Sequence, residues 1–413
     1  MKRFLCAAVA CLLLVGISQA AEVPFVELKG NTDAVRLVSF SPDGKQVSTC
    51  SNDEISQIWD AETGEALFTL KGCYGHFLPD GKKIVTSSKT EDAKIQFWDA
   101  ESGKELFALP GQFWDWQFTP DGKKIVTRTE WITEKDGITI QIWDTESGVE
   151  LLTWTGKFDM CRLLPNGKRI MIQERGRLPQ VIDVESGREL YAVGGLISPG
   201  NFFSPDGTKF ISVDTKFSTR RNADTGGEAL YRVNTVRILN AETGEELYSL
   251  PEKFGRATFT PDGKIAAADG HTVRILDAES KKELHMLPVV LDDNFLPGGK
   301  KFAVHKNYDL GTPVQIWDVE SGKQLYTLPG NLRGVAPYGA FAPDGKSIVT
   351  ETDDKILRIW NAETGEELFA LTEEFRYYMC VPFSPNGKKI VTIMADNTVR
   401  IWDLSAMMEE EKQ

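Results

Sequence analysis

One phrase written nine times constrains this chain more than any other feature in it. Its front half is an aromatic or leucine, one variable residue, and a Pro-Asp-Gly-Lys turn or a close relative: FSPDGK from Phe40, FLPDGK from Phe77, FTPDGK from Phe118, LLPNGK from Leu163 and FSPDGT from Phe203. It continues with FTPDGK from Phe259, FLPGGK from Phe295, FAPDGK from Phe341 and FSPNGK from Phe383. The back half is a β-branched run ending in Trp-Asp or a relative, then a Glu-Ser/Thr-Gly turn, as in QIWDAETGEALFTL ending at Leu70. Its polar markers are Asp60, Asp99, Asp144, Asp183, Asn240, Asp277, Asp318, Asn361 and Asp403, spaced 37 to 57 residues apart. A period of about 43 residues leaves no room for a second domain.

Each unit reads as four short strands. Pro presets φ, Asp bonds the backbone two positions on, and Gly accepts positive φ, so Pro-Asp-Gly predicts a tight hairpin. Runs such as Lys389 to Thr392 and Val399 to Trp402 are strand-like, with bulky residues on both faces that call for burial from both sides. Asp-Ala-Glu-Thr-Gly is the next reversal, and Leu-Phe-Thr-Leu the outermost strand. Many short strands at even spacing are the pattern of radial four-stranded blades.

On these motifs the chain resembles the WD-repeat β-propeller family over residues 24 to 403. The resemblance implies an all-β fold: a single closed β-propeller of four-stranded antiparallel blades, about nine by repeat count, with eight as the alternative. The fourth and sixth units, with Ile182-Asp183 and Leu276-Asp277, are the most divergent. Phe25 to Gly30 matches the end of a unit, and Trp402-Asp403 the third strand of one, so an N-terminal strand is expected to complete the last blade. Trp59, Trp98, Trp143, Trp317, Trp360 and Trp402 hold the repeat position and are expected to pack between blades.

Many WD repeats carry a Gly-His dipeptide after the outer strand, whose His joins a polar network with the repeat Asp. Here the first unit has Gly30-Asn31, later units shorten the connection, and the chain contains four histidines. The repeating His network is therefore absent, and stability is expected to rest on blade packing and turn geometry.

The two polar turns vary little in length, whereas the other two connections vary widely. Alternate connections of a blade lie on opposite faces, so the variation collects on one face, the candidate working surface. Its largest insertion, Asp214 to Val233, contains Lys216, Arg220 and Arg221 and imitates the unit's own turn, which suggests a projecting hairpin. A second, Thr127 to Gly137, carries Trp131. The partner-binding candidates are Tyr377, Tyr378, Trp131, Trp114, Arg220 and Arg221, residue types that supply binding hot spots. Trp116 is read as core.

Lys2 and Arg3, an apolar stretch from Phe4 to Ile17, and Ser18-Gln19-Ala20 read as a cleaved export signal over residues 1–20, too short to span a bilayer comfortably. The propeller then occupies 21–404 and an acidic tail 405–413. The expected location is periplasmic or secreted. Cys50, Cys73, Cys161 and Cys380 follow the signal; export permits disulfides, four thiols allow three full pairings, and sequence does not choose among them. They are read first as small buried apolar residues.

Lys and Arg total 47 against 60 Asp and Glu, a formal charge of −13, which offers no footprint for a nucleic-acid partner. The residue three before each repeat aromatic samples one radial position: Leu37, Tyr74, Asp115, Met160, Gly200, Arg256, Asp292, Tyr338 and Cys380. Nothing in that ring repeats as a symmetric metal site would require. Asp292 and Asp293, as strand neighbours, point to opposite faces. With no zinc spacing, phosphate loop or nucleophile elbow, no catalytic residue, cofactor or metal is assigned. The leading reading is a noncatalytic scaffold for a protein or peptide. The alternative is an enzyme using the central funnel, since Asp-Ala-Glu-Thr-Gly-Glu-Glu-Leu is similar to the repeat turn of quinoprotein dehydrogenases.

Overall fold

A computed structural model of the chain describes residues 23–88, 94–111, 113–129, 137–197, 202–221, 228–269, 272–287, 295–305, 313–330, 341–352, 356–375 and 382–405. Side chains are described outside 114, 196–197, 216–221, 228–233 and 305. Nine antiparallel sheets, one per repeat, form the blades of a β-propeller. In the first, Val35–Phe40, Gln46–Ser51, Ile55–Asp60 and Ala66–Lys71 pair in chain order from inside to outside. In the seventh, eighth and ninth blades the innermost position is marked by the single bridges Phe295 to Phe302, Phe341 to Ile348 and Phe383 to Ile390. The divergent fourth and sixth units are regular four-stranded sheets.

Local chemistry explains the reversals. In the first blade Asp43 accepts from the Ser41 hydroxyl at 2.6 Å and the Lys45 amide at 3.0 Å, and Gly44 closes the turn at φ 72°. The Ser41 position is Ser or Thr in five blades, and each of these hydroxyls reaches the turn's Asp or Asn (Ser41, Thr119, Ser204, Thr260, Ser384). In the second reversal Asp60 accepts from the Glu62 and Thr63 amides at 2.9 and 2.8 Å. The repeat Asp is thus an Asx-turn cap, and the Thr63 amide, followed by the other donors, holds its carboxyl below the ordinary value.

Phe25–Leu28 pairs antiparallel with Val399–Asp403, from Phe25 opposite Trp402 to Leu28 opposite Val399, so the N-terminal strand completes the ninth blade. That blade meets the first in one apolar cluster in which Leu28, Val35, Val47 and Trp59 pack with Val391, Ile393, Val399 and Ile401. The ring closes through this cluster, and Phe25–Leu28 covers the edge that Val399–Asp403 would otherwise expose.

Neighbouring blades are joined by a repeated latch. The third residue of an outer strand lies over the next blade's turn glycine: a Cβ on Gly244 would stand 2.3 Å from the Tyr191 ring, and Gly365 meets Tyr326 in the same way. Where the sixth blade has Lys281 at positive φ, its ammonium sits 4.5 Å from the Tyr248 ring centroid. In six blades the second strand opens with a cation that adds a polar arm. Lys389 reaches the Ala61 carbonyl at 3.0 Å and Glu62 at 2.6 Å, and Lys124 reaches Glu185 at 2.8 Å. Such exposed ion pairs contribute little singly; their role is to fix rotation between blades.

Three tyrosines of this latch donate to carbonyls of the following blade: Tyr191 to Ala241 at 2.5 Å, Tyr248 to Ala278 at 2.6 Å and Tyr326 to Ala362 at 2.5 Å. Desolvation pushes each phenol up to about 12 from an ordinary value of 10.0. Between these values the folded chain keeps protons that the unfolded chain has lost, so the phenols' contribution is complete below pH 10 and disappears toward pH 12. Urea midpoints measured across that window are expected to fall with pH, and a Tyr191→Phe/Tyr248→Phe/Tyr326→Phe variant to flatten the slope. An unchanged slope would contradict the assignment.

The cysteines correct the sequence reading. Cys50, in the second strand of the first blade, and Cys73, on the innermost strand of the second, form a disulfide with Cα atoms 5.4 Å apart. Only the approach of two blades chooses this pair. Cys161 is a buried free thiol, as expected of a small apolar residue, and Cys380 lies outside the described residues.

Candidate interaction face

Strand order sorts the connections. The Pro-Asp-Gly and Glu-Thr-Gly reversals leave one end of every blade, where the latches stand; the second-to-third and blade-to-blade connections leave the other. Tyr377, Tyr378 and Trp131 lie outside the described residues. The backbone of Trp114 is in the strand Phe113–Phe118, and Arg220 and Arg221 end the strand Lys209–Arg221; the side chains of these three are not among those described. Trp116 packs partly buried on the second blade's cluster, edge-on to Tyr74 at 5.8 Å.

At the centre, Leu37 and Arg256 are exposed, while Tyr74, Asp115 and Met160 are half-buried. Gly200, Asp292, Tyr338 and Cys380 of the same ring are outside the described residues. Among the described residues no three His, Cys, Asp or Glu side chains gather as a metal site would need. Desolvation pushes the Cys161 thiol up to about 12, which keeps it protonated and a poor nucleophile at neutral pH.

The repeat tryptophans occupy the interior with a polar link that the sequence reading missed. The indole N–H donates to a threonine on the second strand of the same blade: Trp59 to Thr49, Trp98 to Thr86, Trp143 to Thr127, Trp360 to Thr350 and Trp402 to Thr392, all at 2.8 to 2.9 Å. In the first blade Thr49 donates onward to Asn31, at the place of the missing His, at 2.8 Å. Elsewhere the backbone takes that role: Thr86 donates to the Lys71 carbonyl at 2.6 Å and Thr350 to that of Pro329 at 2.9 Å. Stability therefore does not rest on packing and turns alone, because the Trp–Thr half of a polar network persists without histidine. The sequence signal was the Thr closing Lys-Ile-Val-Thr.

The seventh blade shows what that Thr does. Val304 stands opposite Gln315 as Thr49 stands opposite Gln57, and the Trp317 indole nitrogen is buried without a partner among the described residues. A buried orphan donor is a desolvation cost that a bonded one avoids. Trp360→Phe is expected to cost about 1 kcal/mol more than Trp317→Phe, because only Trp360 loses a hydrogen bond. Equal losses in matched denaturant titrations would remove the energetic role of the link.

Comparison with known proteins agrees with this architecture. The family model described as WD domain, G-beta repeat matches residues 22–60, 322–361 and 375–403. The WD repeat, SAM and U-box domain-containing protein 1 of Gallus gallus is 38% identical over 55 residues, which cover 13% of this chain and 12% of that protein. The Notchless protein homolog of Arabidopsis thaliana is 48% identical over 44 residues, covering 11% of this chain and 9% of that protein. The matches thus span about a tenth of these relatives' length. A crystal structure of a eukaryotic initiation factor superposes with a TM-score of 0.58 at 16% identity, covering 83% of this chain and 89% of that one, which shows a shared fold. Nine blades built from one repeated unit and closed by the N-terminal strand make this chain a β-propeller, with repeats similar to the WD domain, G-beta repeat in the three places matched.

Proposed function

We propose that this propeller is a noncatalytic scaffold that works outside the cytoplasm and binds a protein or peptide on the face where the second-to-third and blade-to-blade connections emerge. The observation that carries the reading is the asymmetry of the ring. One face is taken up by short, uniform turns locked to one another, and the opposite face collects the connections of variable length. WD-repeat propellers typically serve as protein-interaction scaffolds, although fold alone does not fix function. The Cys50–Cys73 disulfide supports an oxidising compartment, in keeping with the leader at residues 1–20. The formal charge of −13 supports a protein rather than a nucleic-acid partner.

The test is affinity capture by the purified mature chain from its own extracytoplasmic extract, analysed by mass spectrometry beside a Tyr377→Ala/Tyr378→Ala variant. A protein retained by the wild type and lost by the variant, at an unchanged melting temperature, is the expected result. Loss of folding would place those rings in the core. A small molecule or metal carried through purification, with no protein captured, would favour the funnel enzyme.

A further inference from the structure

The fifth blade departs from the others in the length of its two middle strands. Its second and third strands, Lys209–Arg221 and Glu228–Asn240, run 13 residues each and pair without a break from Lys209 opposite Asn240 to Arg221 opposite Glu228. The corresponding strands of the first blade have 6 residues each. The flanking strands stop early: Leu196–Ile197 pairs no further than Val213, and Glu246–Ser249 pairs with Arg237 to Leu239. Beyond Thr215 and Asn234 the sheet is a two-stranded ribbon, six register pairs long, with no strand against either edge among the described residues. At about 3.3 Å per residue it extends roughly 20 Å past the blade, on the side of the variable connections.

Two properties say what such a ribbon takes. Each edge turns the N–H and C=O of alternate residues outward, about three donor–acceptor pairs per edge, which is a template for an added strand. Proteins commonly blunt such edges, but no Pro interrupts residues 216–233 and no neighbouring strand covers them among the described residues. The charge is also reversed relative to the rest of the chain: residues 216–233 hold Lys216, Arg220, Arg221 and Arg232 against Asp224 and Glu228, in a protein of formal charge −13. A positive arm on a negative body favours an acidic partner segment at the arm and repels it elsewhere. The last strand before the acidic tail, Val399–Asp403, ends at the turn end of the ninth blade, on the opposite face, which favours a segment of another protein as the occupant.

We propose that this ribbon is a docking arm that pairs by strand addition with an extended acidic segment of a partner protein. The proposal rests on the scaffold reading and adds the chemistry of the partner and its mode of binding.

The test uses the mature chain and a fluorescein-labelled peptide of alternating Glu and Val, followed by anisotropy. Three comparisons accompany it: an Arg220→Glu/Arg221→Glu variant, a variant with residues 216–233 replaced by Asn-Gly, and a peptide of alternating Glu and Pro. The Pro peptide keeps the charge and loses half the N–H donors. The expected result is saturable binding to the wild type, weakened at least about tenfold in each comparison. No binding to the wild type, or equal binding to the variants, overturns the proposal. So does a preference for an oligothymidylate of equal charge, or a dimer of the chain that disappears when the ribbon is shortened. Running the shortened variant through the extract capture separates the two readings. A partner kept by that variant but lost by the tyrosine variant leaves the scaffold standing without the ribbon, and an empty capture in every arm removes the scaffold itself.

Discussion

Trp59→Ala is expected to lower the free energy of unfolding by about 3–5 kcal/mol, the range for deleting a large buried aromatic. Trp59 is fully buried in the cluster that joins the first blade to the ninth, so the loss falls on ring closure. The truncation also strands Thr49, which accepts the indole proton at 2.9 Å, and leaves a cavity beside Leu28 and Val399. Urea or guanidinium titration measures the cost. A loss below about 0.5 kcal/mol, typical of surface sites, would mean that the ring does not close through this residue.

The second large effect concerns the bond between the first two blades. Cys50 and Cys73 are 23 residues apart. The loop-entropy relation assigns a crosslink of that length about 3 kcal/mol, by restricting the unfolded chain. Cys50→Ala/Cys73→Ala is expected to lose roughly that amount, and reductant to lower the midpoint of the wild type while leaving the variant unchanged. A wild type indifferent to reductant would show that the pair carries no stability. Cys161→Ala serves as the control, since its buried thiol takes no part in the crosslink.

Much of the fold was legible because the turn chemistry repeats. Pro-Asp-Gly and Asp-Ala-Glu-Thr-Gly each have a local physical cause, and Asp43 and Asp60 perform in the structure the backbone bonding their residue types imply. The closing strand was legible for the same reason: Phe25 to Leu28 reads as an outer strand whose own blade is missing. The Trp–Thr link was overlooked because its partners lie 10 to 16 residues apart and meet only when the second and third strands come into register. In place of the absent histidines, backbone carbonyls and Asn31 take the acceptor role. For the candidate site, sequence could name Tyr377, Tyr378, Trp131, Trp114, Arg220 and Arg221 as candidates from residue type and the varying length of alternate connections. It could not show that Arg220 and Arg221 end an unbroken 13-residue strand, because a projecting ribbon and a loop share the same composition.

By itself the sequence determined the repeat, its four-strand units and the way the ring closes, because these follow from turn residues and strand periodicity acting over a few positions, while the structure settled nine blades over the alternative of eight. The tertiary structure decided which cysteines pair, which threonine meets which indole, which outer-strand ring covers which glycine, and how far the fifth blade's ribbon extends. Those outcomes depend on the rotation of one blade against the next and on strand register, and no local stretch of the chain encodes either.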